Sequence, residues 1–317
     1  MNVPRLRHKT AIFVTFLIAG LLGDLAAGAL AAEKQAPGFF RAGANVVLVN
    51  ATVLDRNHRP VRGLTRDRFR IFENKVEQRI GYFGEEEMPL SLAVVFDTSG
   101  SMGGKIAGAT RALRAMLNDP NGDDEFSLIT FADRPEVAVP WTSDAVAVQN
   151  RAAATRAHGR TSLLDAIHLA LTQLHRANNI HRAILILSDG GDNSSRYTER
   201  QITRLLAEAD VQLYAVDMSP AAILRDMPPE EVRGPDLLGR LCDYAAGRYF
   251  QAENQRDLAK TVDQIGKEMR SQYVLGYAPS NSAADGLFRH VRLQLLPVQG
   301  GAKLSVYWRR GYRSPAQ

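Results

Sequence analysis

Between positions 90 and 271 apolar residues fall in two alternating rhythms. Near-continuous apolar runs at 92–96, 126–131, 183–187 and 211–216 have strand length. Runs with no polar face belong to strands covered on both sides. Between them apolar residues recur every three or four positions. The sets are Ile106, Ala109, Leu113, Met116 and Leu117; Leu163, Leu164, Ile167, Leu171 and Leu174; Ile202, Leu205, Leu206 and Ala209; and Leu258, Val262, Ile265 and Met269. Each set lines one helical face. Strand and helix in alternation predict an α/β fold: a doubly wound, mostly parallel sheet flanked by helices, with right-handed crossovers.

The flanks follow a different pattern. Residues 40–88 hold short β-branched or aromatic runs at 46–54, 69–72 and 79–83, separated by polar turns at 55–60 and 73–75. The second turn predicts a hairpin between 69–72 and 79–83. Residues 272–313 return to strand character at 273–277, 290–295 and 304–308. Neither flank has enough strands to bury a face alone. The two are therefore expected to combine into one small β-sandwich beside the α/β domain.

The first 31 residues stand apart. Arg5, Arg7, His8 and Lys9 precede an uncharged stretch at 11–23, which Asp24 interrupts, and Ala29-Leu30-Ala31 fits a small-x-small cleavage pattern. This is the layout of a secretory signal peptide. The apolar run is shorter than the roughly 20 residues of a membrane-spanning helix. The expectation is an exported chain, periplasmic or extracellular, with no stable membrane span after cleavage. No cysteine lies near the cleavage region, which argues against a lipoprotein.

Composition changes this picture little. The 317 residues are 45% hydrophobic and 23% charged, ordinary for a globular protein. The formal net charge of +5 falls to +3 without residues 1–31, which hold three Arg or Lys and one Asp. No dense basic run with interleaved aromatics accompanies it, so nucleic acid is not an expected partner. Cys242 is the single cysteine, so no internal disulfide forms. In its apolar surroundings it is expected to be a small buried residue.

The candidate chemistry sits where predicted strands end. The run 92–96 passes directly into Asp97-Thr98-Ser99-Gly100-Ser101, where Asp97, Ser99 and Ser101 alternate in a glycine-bearing loop. In open α/β sheets ligands bind outside the carboxyl ends of the strands. One carboxylate and two hydroxyls are hard oxygen donors, suited to Mg²⁺, Ca²⁺ or Mn²⁺. A second strand-end acid, Asp189, follows the run 183–187, and Thr161 lies in a polar loop just before a predicted helix.

Asp97-x-Ser99-x-Ser101, then Thr161, then Asp189 resemble, in type and order, the metal-ion-dependent adhesion site of von Willebrand factor A domains. The resemblance covers residues 90–271. It implies that hydroxyls of Ser99, Ser101 and Thr161 touch the metal, while Asp97 and Asp189 act mainly through water or hydrogen bonds. It also implies that an acidic group from a partner completes the shell. The flanking runs at 52–55, 60–69, 273–277 and 309–312 add a narrower resemblance to bacterial exported "VWFA-related" proteins, known especially from acidobacterial genomes.

The expected function is therefore adhesion or assembly rather than catalysis. The cation is Mg²⁺, or else Mn²⁺ or Ca²⁺, and the partner is a protein or glycan offering a carboxylate. Met102, Gly103, Gly190 and Asp192 are expected at the partner-binding rim, although core filling suits Met102 and a polar loop suits Asp192. Two other readings stay open: a structural envelope component whose metal only stabilises the fold, and a metal-assisted hydrolase. No His-Glu-x-x-His pattern supports the last. Asp165, one turn into its helix, is expected to be structural. Asp123, Asp124 and Glu125 are expected to form a solvated turn.

Overall fold

The computed structural model describes residues 46–85, 88–219, 232–297 and 303–316. The segment 1–31, expected to be a signal peptide, lies outside the described residues.

The run at 92–96 becomes β5 (Leu90–Asp97), buried along its whole length. It is a central strand of a six-stranded sheet that also contains β6 (Glu125–Phe131), β7 (Pro135–Thr142), β8 (His181–Ser188), β9 (Gln212–Asp217) and β10 (Arg248–Gln251). The order is β10-β9-β8-β5-β6-β7, and every pairing is parallel except that of β7 with β6. β7 is half-exposed and contains Pro135 and Pro140, as an edge strand tolerates.

Six helices of eight residues or more cover the sheet among the described residues. They are α1 (Ile106–Met116), α2 (Ala145–Ala153), α3 (Leu163–Leu174), α4 (Glu199–Glu208), α5 (Gly234–Tyr244) and α6 (Gln255–Arg270). Leu92, Val94 and Phe96 of β5 point to the face covered by α1, α2 and α6. Ala93 and Val95 point to the face covered by α3, α4 and α5. The period-two alternation within one buried strand thus feeds two separate cores.

The flanks form two four-stranded sheets. One has the order β13-β1-β11-β4, built from β1 (Val47–Leu54), β4 (Ile80–Gly84), β11 (Tyr273–Tyr277) and β13 (Ser305–Trp308). The other has the order β14-β12-β2-β3, built from β2 (Phe69–Glu73), β3 (Val76–Gln78), β12 (Phe288–Leu295) and β14 (Gly311–Arg313). β1 pairs antiparallel with β11, and β2 with β12, so both sheets join strands from the two ends of the chain. Val49, Ala51, Ile71, Leu275 and Leu293 share the core between them. Glu73 is buried there and accepts hydrogen bonds from Tyr277 and Tyr312, each 2.8 Å.

Two sequence expectations need correction. The hairpin partner of β2 is β3, not 79–83. After β3 the chain turns at Arg79 and crosses to the opposite sheet, where β4 pairs with β11; such sheet-switching corners are common in packed sheets. Asp124 and Glu125 are not a solvated turn, because both are buried. Asp124 accepts from the Leu90 N–H at 2.8 Å and from Arg270 at 2.9 Å. Glu125 accepts from the Ser91 hydroxyl at 2.6 Å and from the Asn178 side chain at 2.8 Å. These acids fasten the lower end of the sheet.

Cys242 is 1% exposed on the buried face of α5, and burial pushes its thiol well above the usual range. A thiolate-seeking reagent such as dithionitrobenzoate should leave the native chain unlabelled and react with one equivalent after denaturation. Rapid labelling of the folded protein would contradict this packing.

Candidate functional site

The strand order reverses between β5 and β8, and the crevice outside their carboxyl ends is where this topology gathers ligands. Asp97 is the last residue of β5 and Ser188 the last of β8. The Asp97 carboxylate is fully buried. It accepts from the Ser99 N–H at 2.8 Å and from the Ser188 hydroxyl at 2.6 Å. One side chain thereby ties two strand ends and shapes the next loop.

That loop makes a short 3₁₀ turn over Gly100–Met102. Ser99 and Ser101 hydroxyls come to 3.0 Å of each other. The Ser101 hydroxyl donates to one Asp189 oxygen at 3.0 Å, and Lys105 donates to the other at 2.6 Å. Ser99 is buried, whereas Ser101 and Gly103 are exposed, so the arrangement opens to solvent on one side.

The loop before α3 is bound into the same end. Gly100 N–H donates to Gly159 at 3.1 Å, and His158 N–H to Thr98 at 2.8 Å. Gly159 has φ +69°, and a Cβ there would lie 2.4 Å from the Asp133 carboxylate, so glycine is required. The Thr161 N–H donates to the Asn193 side chain at 3.0 Å, and its carbonyl accepts from the N–H groups of Asn193 and Ser194. Thr161 joins the cluster through its neighbours. Among the described residues no hydrogen bond ties down its hydroxyl.

Asp97 titrates at about 6, above the ordinary carboxylate range, first because it is buried and then because Asp189 is negative nearby. Bonds from Ser188 and Ser99 oppose that rise without cancelling it. Asp192 is also pushed up by burial.

The donor set fits a small hard cation. Mg²⁺ binds oxygens at about 2.1 Å in an octahedron, which sets neighbouring ligand oxygens about 3.0 Å apart. The Ser99–Ser101 and Ser101–Asp189 oxygen separations are both 3.0 Å. Ser99, Ser101 and Thr161 would offer the hydroxyls, and Asp97 and Asp189 the charge. Among the described residues no group of three or more His, Cys, Asp or Glu is arranged to hold a metal, so a cation here would depend on hydroxyl donors.

The expected rim is only partly a rim. Met102 is 0% exposed and packs in the core, because the 3₁₀ turn points it inward. Gly190 is buried against Gly234. The Asp192 carboxylate turns inward to the Leu164 N–H at 3.3 Å and the Ser195 hydroxyl at 2.5 Å. Gly103 is exposed as expected. Asp165 accepts from the Arg196 and Tyr197 N–H groups at 2.8 and 3.0 Å, holding the loop before α4.

Sequence reasoning missed four contributors. Ser188 holds Asp97, and its place immediately before Asp189 at a strand end was the available signal. Lys105 reaches Asp189 from four positions beyond Ser101; nothing in its spacing distinguishes it from a helix-start lysine. Asp217 and Ser219 end β9 in the same Asp-x-Ser form as Asp97 and Ser99. Asp217 accepts from Ser219 N–H and from the Tyr249 hydroxyl, both at 2.7 Å. The Ser219 hydroxyl in turn donates to the Asp189 carbonyl at 2.5 Å. This second turn braces Asp189 from behind.

Residues 92–191 match the family model of the von Willebrand factor type A domain. Inter-alpha-trypsin inhibitor heavy chain H4 of Homo sapiens is 30% identical over 146 residues, 41% of this chain and 16% of its own length. This chain thus aligns to about a sixth of that relative. Among solved structures, proximal thread matrix protein 1 from the mussel byssus superposes with a TM-score of 0.50 at 15% identity, covering 62% of this chain and 51% of that one. A von Willebrand factor type A protein from Catenulispora acidiphila gives 0.49 at 13% identity, covering 88% and 76%.

Proposed function

The chain carries a von Willebrand factor type A domain, and from that premise we propose that it is an exported binding protein that holds a divalent cation and, through it, a carboxylate on a protein or glycan partner. The cation is Mg²⁺, with Mn²⁺ and Ca²⁺ as substitutes. The hydroxyls of Ser99, Ser101 and Thr161 ligate it, and Asp97 and Asp189 act from behind them. When bound, the cation supplies an electrophilic centre for an outside oxygen.

One observation carries the reading: two hydroxyls 3.0 Å apart, backed by two carboxylates, at the solvent-open switch point of a parallel sheet. Neutral hydroxyls as the direct ligands, with the carboxylates behind them, leave the cation electrophilic on its open side, which suits capture of an acid more than activation of water. Export rests on the layout of residues 1–31.

Titration calorimetry of the purified chain with Mg²⁺ at pH 7.5 tests the proposal. Saturable heat with one site per chain is expected, and a folded protein that gives none overturns it. Affinity should fall as pH drops below about 6, where Asp97 takes a proton. The sign for folding is opposite. Without metal the Asp97 pKa lies above its unfolded value, so stability declines as pH rises from about 4 through 6. Cation binding needs the ionised form, so affinity climbs over that same window, and a pH-independent affinity would contradict the role of Asp97.

A further inference from the structure

Lys105 is a cation built into the site. It sits just before α1, with its N–H on the Met102 carbonyl and its own carbonyl accepting from Ala109, so its backbone is fixed. Its ammonium reaches across to Asp189 at 2.6 Å. The Lys105 side chain is 23% exposed and that of Asp189 5%, so water screens the pair poorly. The other Asp189 oxygen takes the Ser101 hydroxyl. Among the described residues Lys105 is the only basic side chain paired with either Asp97 or Asp189. Arg160 nearby is turned to the Asn193 carbonyl.

We propose that Lys105 is an internal competitor that holds the affinity of the site for divalent cation down and makes full occupancy depend on an acidic partner. This rests on the cation reading given above. Charge balance carries the argument. Asp97 and Asp189 together offer two negative charges, enough to neutralise one dication. Lys105 already claims one of them. A dication entering beside it leaves the site with one surplus positive charge, and a single carboxylate from outside restores neutrality. Metal and partner then reinforce each other, because each removes the charge penalty of the other. Without Lys105 the two carboxylates would satisfy the dication alone, and the call on an external acid would lapse.

The test compares Mg²⁺ affinity of the full chain and of Lys105→Met, with no other ligand present. Methionine keeps the apolar stem and removes the charge. Lys105→Met is expected to bind Mg²⁺ at least tenfold more tightly, equivalent to about 1.4 kcal/mol. Lys105→Arg, which retains the charge, should stay within about threefold of the parent. Thermal melts with and without Mg²⁺ provide a second readout: the metal should raise the midpoint of Lys105→Met more than that of the parent, because Asp189 lacks its partner until the metal arrives. Unchanged or weaker affinity in a folded Lys105→Met overturns the inference and leaves the cation site standing. Absence of binding in both folded proteins overturns the site and the inference together. Binding by Lys105→Met alone supports the competitor role of Lys105 and overturns the parent as a chain that takes Mg²⁺ unaided.

Discussion

Replacing Asp97 by asparagine should abolish saturable Mg²⁺ binding while leaving the chain folded. The asparagine carbonyl can still accept from the Ser99 N–H, now 2.8 Å from the carboxylate. Its amide can donate to the Ser188 hydroxyl, which rotates to accept. What disappears is the buried negative charge. Asp97 titrates at about 6 because burial and Asp189 disfavour its ionised form. At pH 7.5 in chelator the variant should therefore be no less stable than the parent. A gain on the order of 1–3 kcal/mol is expected from the relieved charge. Added Mg²⁺ should stabilise the parent and not the variant. Calorimetry and thermal melts at pH 7.5 read both effects. Parent-like Mg²⁺ affinity in Asp97→Asn would remove Asp97 from the site.

Gly234→Ala should destabilise the chain by roughly 3 kcal/mol or more and weaken cation binding with it. A Cβ on Gly234 would lie 2.2 Å from the Gly190 carbonyl oxygen and 2.8 Å from its Cα. Both obstacles are backbone, so no side chain can swing away. Gly190 is itself at φ +106° and donates its N–H to Ser188 at 3.1 Å, immediately beyond Asp189. Either α5 withdraws from the sheet, uncovering Leu238 and Leu241, or the 189–190 turn moves. The first path costs core packing and the second displaces Asp189, so stability and affinity fall together. Urea denaturation and Mg²⁺ titration of the same preparation measure the two losses. A variant within 0.5 kcal/mol of the parent would show that the contact is looser than this.

Much of this could be read from the sequence because the fold alternates two periodicities. The four central parallel strands lie within or around the apolar runs, and each helical stripe matches α1, α3, α4 or α6. α2 and α5 escaped notice for a physical reason. α2 buries only Ala145, Val148 and Ala152, a stripe too small to stand out, and α5 begins Gly-Pro. β10 is four residues long and half-exposed, so it leaves no apolar run. At the candidate site the alternating Asp-Ser-Ser loop was visible because neighbours in sequence are neighbours in space. The Lys105–Asp189 and Ser188–Asp97 contacts bridge 84 and 91 positions. Contacts of that range follow only from strand order. Burial of Met102 depends on one turn of 3₁₀ helix, which composition does not announce.

The interleaved sheets also set an order in time. β1 finds its hydrogen-bonding partner only when β11 exists, with Val47 opposite Tyr277, and β2, though joined early to β3, waits for β12 on its other edge. A chain made from its amino end must carry β1 and β4 unpaired through synthesis of the whole intervening domain. The domain can close first, since its crossovers are local, whereas the sandwich closes last over a long loop. Throughout that interval the apolar row Val47, Val49, Ala51 and Val53 stands without its cover. The nascent protein is therefore most prone to self-association before residues 273–313 emerge, and a chain cut short ahead of them would carry a finished candidate cation loop on an unfinished, adhesive base.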